Sequence, residues 1–151
     1  MDAFRLDGKV ALVTGGSYGI GFAIASGLAK AGAKLVFNDI RQDRVDKGLD
    51  AYRQAGIDVH GYVCDVTSEE QVNDMVSQIE KDVGIIDILF NNAGIIKRIP
   101  MCDMTAAEFR QVVDVNLNAP FIVSKAVLPA MIKKGGGKII NICSMMSELG
   151  R

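Results

Sequence analysis

The chain has 151 residues, about the length of one domain, with 49% hydrophobic and 23% charged residues, as in an ordinary folded α/β protein. Its formal net charge is −1 and it has no dense basic cluster, which argues against nucleic acid and anionic membrane surfaces as partners. No signal-peptide core or membrane-length apolar run is evident, so we expect a cytoplasmic protein. The three cysteines are far apart, so we expect reduced, mostly buried thiols and no metal site.

Apolar strand-like runs alternate with helical patterns along the whole chain, which predicts βαβ units and a parallel sheet. Right-handed crossovers then favour a doubly wound, Rossmann-type α/β fold with strand order 3-2-1-4-5. Capping-box patterns, Thr67 with Glu70 and Thr105 with Glu108, mark the starts of two helices. The predicted strands are 9–14, 34–38, 59–63, 86–90 and 138–143, and the predicted helices are 20–31, 43–55, one that begins after Thr67 and stops near Gly84, and one from Thr105 to near Lys134.

A glycine-rich segment follows the first predicted strand and opens the first helix. Its spacing, Gly15, Gly19 and Gly21, differs from GxGxxG and has no Lys-Ser/Thr pair of a Walker A loop. Glycines let the backbone approach a pyrophosphate, and a helix N-terminus offers free N–H groups and a positive dipole end. The alternative is an ordinary strand-turn-helix glycine cluster. The predicted cofactor residues of this segment are Gly15, Ser17, Tyr18, Gly19, Ile20 and Gly21.

Polar and small residues at the ends of the next three strands favour dinucleotide binding. Asp39 is placed to accept hydrogen bonds from the adenosine ribose, and Asp65 with Val66 to meet the adenine. The segment Asn92, Ala93 and Gly94 follows the fourth strand and is placed beside the second half of the cofactor. Because ligands of such sheets bind at the carboxyl ends of the strands, all these residues are predicted to form one NAD(P) site.

The residues near Asp39 leave the choice between NAD and NADP open. The carboxylate of Asp39 repels a 2′-phosphate and favours NAD. Arg41 and Arg44 follow closely, and a guanidinium can bind a phosphate through two hydrogen bonds.

In their order along the chain, T-G-x-x-x-G-I-G at 14–21, N-N-A-G at 91–94, Asn116 and the segment 142–144 resemble the short-chain dehydrogenase/reductase family. Within it, residues 38–40, 94–100 and 144–151 are similar to the gluconate 5-dehydrogenase subgroup. The resemblance implies hydride transfer between the nicotinamide and a secondary alcohol or ketone. It implies that Ser144 holds the substrate oxygen and that Asn116 orders a relay water. The family's Tyr-x-x-x-Lys pair would lie beyond Arg151, so the chain alone is expected to be inactive.

The surroundings of Asn116 add a physical argument for that role. Pro120 lies four residues later and has no N–H, so it cannot bond the Asn116 carbonyl within an α-helix. A carbonyl left free could hold a water, although the proline could also simply kink the helix along the core.

Lys97 and Arg98 follow the N-A-G turn and are placed to bind the carboxylate of a sugar acid, or are ordinary solvated charges. Ser144 and Met146 are predicted to line the same substrate pocket. The long helix is apolar on more than one face, which is compatible with the homodimer or homotetramer that the resemblance implies.

The sequence thus predicts residues 1–151 to be a dinucleotide-binding Rossmann domain, incomplete at its C-terminus. The leading function is NAD(P)-dependent oxidoreduction, with D-gluconate and 5-keto-D-gluconate as the substrate pair. A 3-oxoacyl carrier-protein reductase or another polyol dehydrogenase is the alternative within the class. A non-catalytic NAD(P)-binding module is the alternative outside it, if the natural chain ends at Arg151.

Overall fold

The fold is a five-stranded parallel sheet with helices on both faces. It was analysed as a computed structural model, which describes residues 4–145. The strand order β3-β2-β1-β4-β5 confirms the doubly wound topology predicted from the sequence. Strands β3 and β4 lie on opposite sides of β1, so the chain crosses over β1 between them. A crevice opens at this switch point. The strands are Val10–Thr14 (β1), Lys34–Asp39 (β2), Val59–Val63 (β3), Ile86–Asn91 (β4) and Lys138–Asn141 (β5).

The helices form a layer on each face of the sheet. Side chains of the first two helices pack on one face and those of the third and fifth on the other, in separate hydrophobic clusters. The described helices are Gly19–Lys30 (α1), Gln42–Gln54 (α2), Glu69–Asp82 (α3), Ala106–Val113 (α4), a π-helical turn over Asp114–Asn118, and Ala119–Lys134 (α5).

Strand β1 lies at the centre of the sheet and is buried along its whole length. Leu12 packs in the cluster that includes α3 and α5, and Val13 packs in the cluster beneath α1 and α2. A strand covered on both faces needs apolar side chains in both directions, which is why it reads in sequence as a continuous apolar run.

The third helix begins one residue later than the sequence predicted. Ser68, not Thr67, is the N-cap, because the Ser68 hydroxyl accepts the Gln71 N–H. The Thr67 hydroxyl is occupied elsewhere, since it donates to Asp65 Oδ1 at 2.7 Å. The predicted capping box of Thr67 with Glu70 was therefore wrong.

The last strand is shorter than predicted, since β5 ends at Asn141 and not at Cys143. The neighbouring strand β4 ends at Asn91, opposite Asn141, and the Ile142 N–H still donates to the Asn91 carbonyl at 3.0 Å. Beyond that point the Asn92 N–H donates to Thr14 of β1, so β4 no longer pairs with β5.

The long predicted helix is interrupted by the π turn. Its start is confirmed, because Thr105 and Glu108 form a reciprocal capping box. The π turn ends two residues before Pro120, whose missing N–H removes one α-helical hydrogen bond and favours the wider turn. Residues 106–134 are long and apolar enough to cross a membrane by length and composition alone, a test that a core helix also passes. In the structure Val123 and Val127 are buried in the core cluster of the sheet.

Asp87 links β4, β1 and α5 at the amino-terminal ends of the strands, which is the end of the sheet away from the crevice. The register of β1 against β4 shifts at Asp87, and its carboxylate accepts the Val10 N–H at 3.0 Å. Lys134 at the end of α5 donates to the same carboxylate at 2.6 Å. Burial alone raises the pKa of Asp87, but the hydrogen bonds from Lys134 and Val10 outweigh it and lower the pKa below its usual range.

The burial of the three cysteines differs from what the sequence predicted. Cys64 is buried, and burial raises the pKa of its thiol to about 11. Cys102 and Cys143 are exposed, so the expectation of mostly buried thiols was wrong for two of the three. Their segments lie outside the two helical layers, where a hydrophobic side chain gains less burial.

Candidate functional site

A groove opens at the carboxyl ends of β1 and β4, and the glycine-rich loop forms one wall of it. Gly15 and Gly19 have φ angles of +63° and +62°, which a residue with a Cβ rarely adopts. A Cβ on Gly15 would lie 3.1 Å from the Cα of Ala93, and one on Gly21 would overlap the Gly15 carbonyl oxygen. The loop therefore needs glycine at these three positions, either for a positive φ or for lack of space for a Cβ.

The end of β4 is tied to this loop by hydrogen bonds. Thr14 Oγ1 accepts the N–H groups of Asn92 and Ala93, both at 3.0 Å. In return, Asn92 Nδ2 donates to the carbonyl oxygens of Thr14 at 2.9 Å and Gly15 at 3.1 Å. The two walls of the groove are thus held in a fixed relation before any cofactor binds.

Tyr52 supports the loop from below. It is fully buried on α2, and its hydroxyl donates to the Gly16 carbonyl at 2.6 Å. Burial raises the pKa of this phenol, so it remains a neutral donor. Sequence reasoning missed this contact, since 36 residues separate the two partners.

The end of the groove that the sequence predicts to bind the adenosine is organised around Asp39, which is 5% exposed. Ser17 donates its hydroxyl to Asp39 Oδ2, and the Ile40 N–H donates to Oδ1 at 2.8 Å. The Arg44 guanidinium lies 3.5 Å from Oδ1 and stacks 5.6 Å from the centroid of the Tyr18 ring. The charge of Asp39 is therefore already opposed within the protein.

Asp65 is fixed at the same end of the groove. Its Oδ1 accepts the Thr67 N–H at 2.9 Å and the Thr67 hydroxyl at 2.7 Å, and its own N–H donates to Gln71 Oε1. These bonds orient the side chain that the sequence predicts to meet the adenine.

The structure brings most of the predicted cofactor residues to this one groove. Of the predicted set, only Ser17 and Arg41 are absent from the lining that the described residues form. Ser17 acts through Asp39, whereas Arg41 pairs with Asp43 at 3.0 Å. The predicted residues that line the groove are Gly15, Tyr18, Gly19, Ile20, Gly21, Asp39, Asp65, Val66, Asn92, Ala93 and Gly94. Lining residues outside that predicted set are Asn38, Ile40, Arg44, Cys64, Ile95, Gln111 and Val115, and of these only Arg44 was considered from the sequence as a phosphate ligand.

Asn116 lies in the π turn beside the other end of the groove. Its side chain is bound to Ile95, accepting the Ile95 N–H at 2.9 Å and donating to the Ile95 carbonyl at 2.8 Å. The relay water of the Pro120 argument would be held by the backbone carbonyl of Asn116. That role stays a prediction.

The predicted substrate residues lie either outside the described groove lining or outside the described residues. Ser144 is three residues beyond the end of β5, and Met146 lies outside the described residues. Arg98 is exposed and Lys97 is half-buried, and neither is part of the described groove lining. The pKa of Glu108 is lowered mainly by its hydrogen bonds to Thr105, with a smaller contribution from the charge of Lys97.

Comparison with known proteins identifies the class of enzyme that has this site. The sequence model of the short chain dehydrogenase family matches residues 9–151, and the chain belongs to this family. A 2-dehydro-3-deoxy-D-gluconate 5-dehydrogenase of Formosa agariphila is 52% identical over all of this chain and 58% of its own length. A 5-keto-D-gluconate 5-reductase of Escherichia coli is 45% identical over 99% of this chain and 59% of its own length. The chain thus spans less than two thirds of these relatives.

Two solved structures are also similar to this chain. A 2-keto-3-deoxy-D-gluconate dehydrogenase from Streptococcus agalactiae is 70% identical with a TM-score of 0.86, covering 98% of this chain and 56% of that one. A gluconate 5-dehydrogenase from Burkholderia cenocepacia, in complex with NADP and tartrate, is 44% identical with a TM-score of 0.91 over 99% of this chain and 59% of that one. With the glycine loop described above, this confirms the NAD(P)-binding fold predicted from the sequence.

Gly21 and Gly27, both in α1, provide a matched test of the loop. We expect Gly21→Ala to raise the Kd for NADPH at least about 10-fold, or ~1.4 kcal/mol, because its Cβ would overlap the Gly15 carbonyl. Gly27 has open space around its Cβ position, so Gly27→Ala should leave the Kd unchanged and stabilise the fold by about 0.5–1 kcal/mol through helix propensity. Fluorescence titration with NADPH and thermal unfolding measure the two effects. Equal loss of affinity in both variants would contradict this account of the loop.

Proposed function

We propose that the natural protein containing this chain interconverts a secondary alcohol and a ketone on a six-carbon sugar acid, with D-gluconate and 5-keto-D-gluconate as the substrate pair. The observation that carries the proposal is the glycine-loop groove in a chain whose relatives in Escherichia coli and Burkholderia cenocepacia are named for this chemistry. The 70% and 52% identical relatives favour 2-keto-3-deoxy-D-gluconate as a second candidate substrate. Both candidates have a carboxylate.

The chemistry divides between the cofactor and the chain. NAD(P) exchanges the hydride. In the proposal, residues 1–151 bind the cofactor, Ser144 holds the reacting oxygen by a hydrogen bond, and Asn116 orders a water through its backbone carbonyl. Proton transfer at neutral pH needs the Tyr-x-x-x-Lys pair, which the family pattern places beyond Arg151. Residues 1–151 alone are therefore proposed to be inactive.

Lys97 and Arg98 are proposed to bind the substrate carboxylate. They follow Gly94, a lining residue, by three and four positions, so the loop that carries them starts at the groove. Arg98 is exposed and its guanidinium can hold a carboxylate through two hydrogen bonds. Met146 is proposed as an adaptable wall of the same pocket.

An assay of the purified natural protein tests the reaction and this carboxylate site. We expect NAD(P)⁺ reduction with D-gluconate or 2-keto-3-deoxy-D-gluconate, NADPH oxidation with 5-keto-D-gluconate, and little activity with sorbitol, which has no carboxylate. Arg98→Gln should raise KM at least about 10-fold with little change in kcat, since it removes an ion pair to substrate that persists in the transition state. Arg5→Gln, which disturbs only a surface pair with Asp7, is the control. Preference for sorbitol, or for an acetoacetyl thioester, would instead favour the polyol dehydrogenase or 3-oxoacyl reductase.

We further propose that the chain accepts NADP through Arg44. The Asp39 carboxylate already accepts hydrogen bonds from Ser17 and Ile40 and lies beside a guanidinium, so its repulsion of a 2′-phosphate is reduced. Arg44 lines the groove and is partly exposed, whereas Arg41 faces Asp43 away from the described lining. Among the residues of the described lining, Arg44 is the one cationic side chain, and it lies beside Asp39, the residue proposed to bind the ribose.

The two arginines are a matched pair for testing this preference. Arg44→Ala should raise the Kd for NADPH about 10–100-fold, because a charge-assisted bond to phosphate contributes about 1.5–3 kcal/mol, and should change the Kd for NADH little. Arg41→Ala should leave both values within about 2-fold, as expected of an exposed pair. Titration with both reduced cofactors measures the ratio. The assignment of Arg44 is wrong if Arg41→Ala has the larger effect.

The exposed face of the long helix supports a proposal about assembly. Large apolar side chains on it remain exposed in the described chain, namely Phe109, Leu117, Phe121, Leu128 and Ile132. We propose that this face packs against a second copy in a cytoplasmic homodimer or homotetramer. Light scattering should give a multiple of the monomer mass, and Phe121→Glu should reduce it. Lys47→Glu on α2 is the control, and a monomeric wild type overturns the proposal.

A further inference from the structure

Asn91 and Asn92 are neighbours at the end of β4, but their side chains contact different parts of the site. Asn92 donates to the glycine loop, as described above. Side chains of successive residues in a strand point to opposite faces, so the side chain of Asn91 lies behind the groove. There its Nδ2 donates to Asn141 Oδ1 at 2.8 Å and to Ser124 Oγ at 3.1 Å.

These two contacts connect the elements that carry both predicted catalytic residues. Asn141 is the last residue of β5, directly opposite Asn91 in the register, and Ser144 follows three residues later. Ser124 belongs to α5, which continues directly from the π turn that holds Asn116. A single carboxamide therefore contacts the strand leading to one catalytic residue and the helix leading to the other.

A third acceptor lies on the same helix, beside the π turn. The Pro120 carbonyl oxygen is 3.5 Å from Asn91 Nδ2. Since an amide nitrogen has two hydrogens, the shorter contacts to Asn141 and Ser124 use both of them, and the Pro120 contact is the weak one. It still places the turn next to the carboxamide.

The burial of Asn91 indicates that more than packing is involved. Its residue is 5% exposed, and its Oδ1 is buried without a hydrogen-bond partner among the described residues. A buried acceptor without a partner lowers stability, and an apolar side chain of similar size would avoid that loss. The donor side of the amide is the part that this structure uses.

We propose that Asn91 is a positioning residue that sets the separation between Asn116 and Ser144. The proposal rests on the proposed function, in which both residues act on the same reacting centre. Asn91 is absent from the described lining of the cofactor groove, so its effect is on turnover and not on cofactor binding. Asn92, one residue later, has the converse role of holding the glycine loop.

The test uses three variants of the purified natural protein, with kcat and the Kd for NADPH measured for each. Asn91→Asp removes both donor hydrogens, and Asn141→Ala removes the principal acceptor. Both should lower kcat at least about 10-fold and leave the Kd for NADPH within about 2-fold. Asn141→Asp keeps an acceptor oxygen and should retain kcat within about 3-fold of wild type.

The outcomes separate the two proposals. If the wild type is active and Asn141→Ala keeps its kcat, or if the Kd for NADPH rises in parallel with the loss of kcat, the positioning role is wrong and the proposed function stands. Failure of Asn141→Asp to retain turnover also overturns it, since the acceptor would then not be the relevant feature. A wild type inactive on every sugar acid overturns both. If Asn91→Asp does not fold, the two Asn141 variants still give the answer.

Discussion

The junction between Thr14 and the end of β4 is the interaction on which the site depends. One hydroxyl oxygen accepts two successive backbone N–H groups, and the Asn92 amide returns two bonds to the backbone of the first strand and loop. These N–H groups have no partner strand, because the backbone of β4 leaves the ladder there. By satisfying them, Thr14 fixes the two walls of the groove at the switch point of the sheet.

The sheet holds this junction rigid through burial. Strand β1 has helices on both faces, and its side chains belong to separate clusters on the two sides. The loop that follows it is supported from α2 by the Tyr52 hydroxyl and packed against Phe37 at Gly16. A backbone region that must remain open to a ligand is thus stabilised from the side away from the ligand.

The charge of Asp39, at the end of the groove predicted to bind the adenosine, is also balanced by contacts within the protein. Asp39 is almost fully buried, yet its oxygens accept bonds from Ser17 and Ile40 and it lies beside Arg44. Because this carboxylate lies beside a cation, it repels the 2′-phosphate of NADP less strongly than the sequence suggests. At the other end of the groove Asn116 is bound to Ile95, and behind the groove Asn91 is bound to Asn141, so these contacts are made by neutral amides.

The sequence by itself determined the fold class, the strand order, the glycine loop and most of the residues that line the groove. These follow from local rules: apolar runs, glycine spacing and the convergence of strand ends in a parallel sheet. It failed where two local options compete, as at Thr67 and Ser68, and where a neighbouring strand decides the length, as at β5. Only the tertiary structure separated Arg44 from Arg41, found Tyr52 beneath the loop, and gave Asn91 and Asn92 different partners. Each of those depends on a contact between residues distant in sequence or on the direction of a side chain, which periodicity and spacing do not specify.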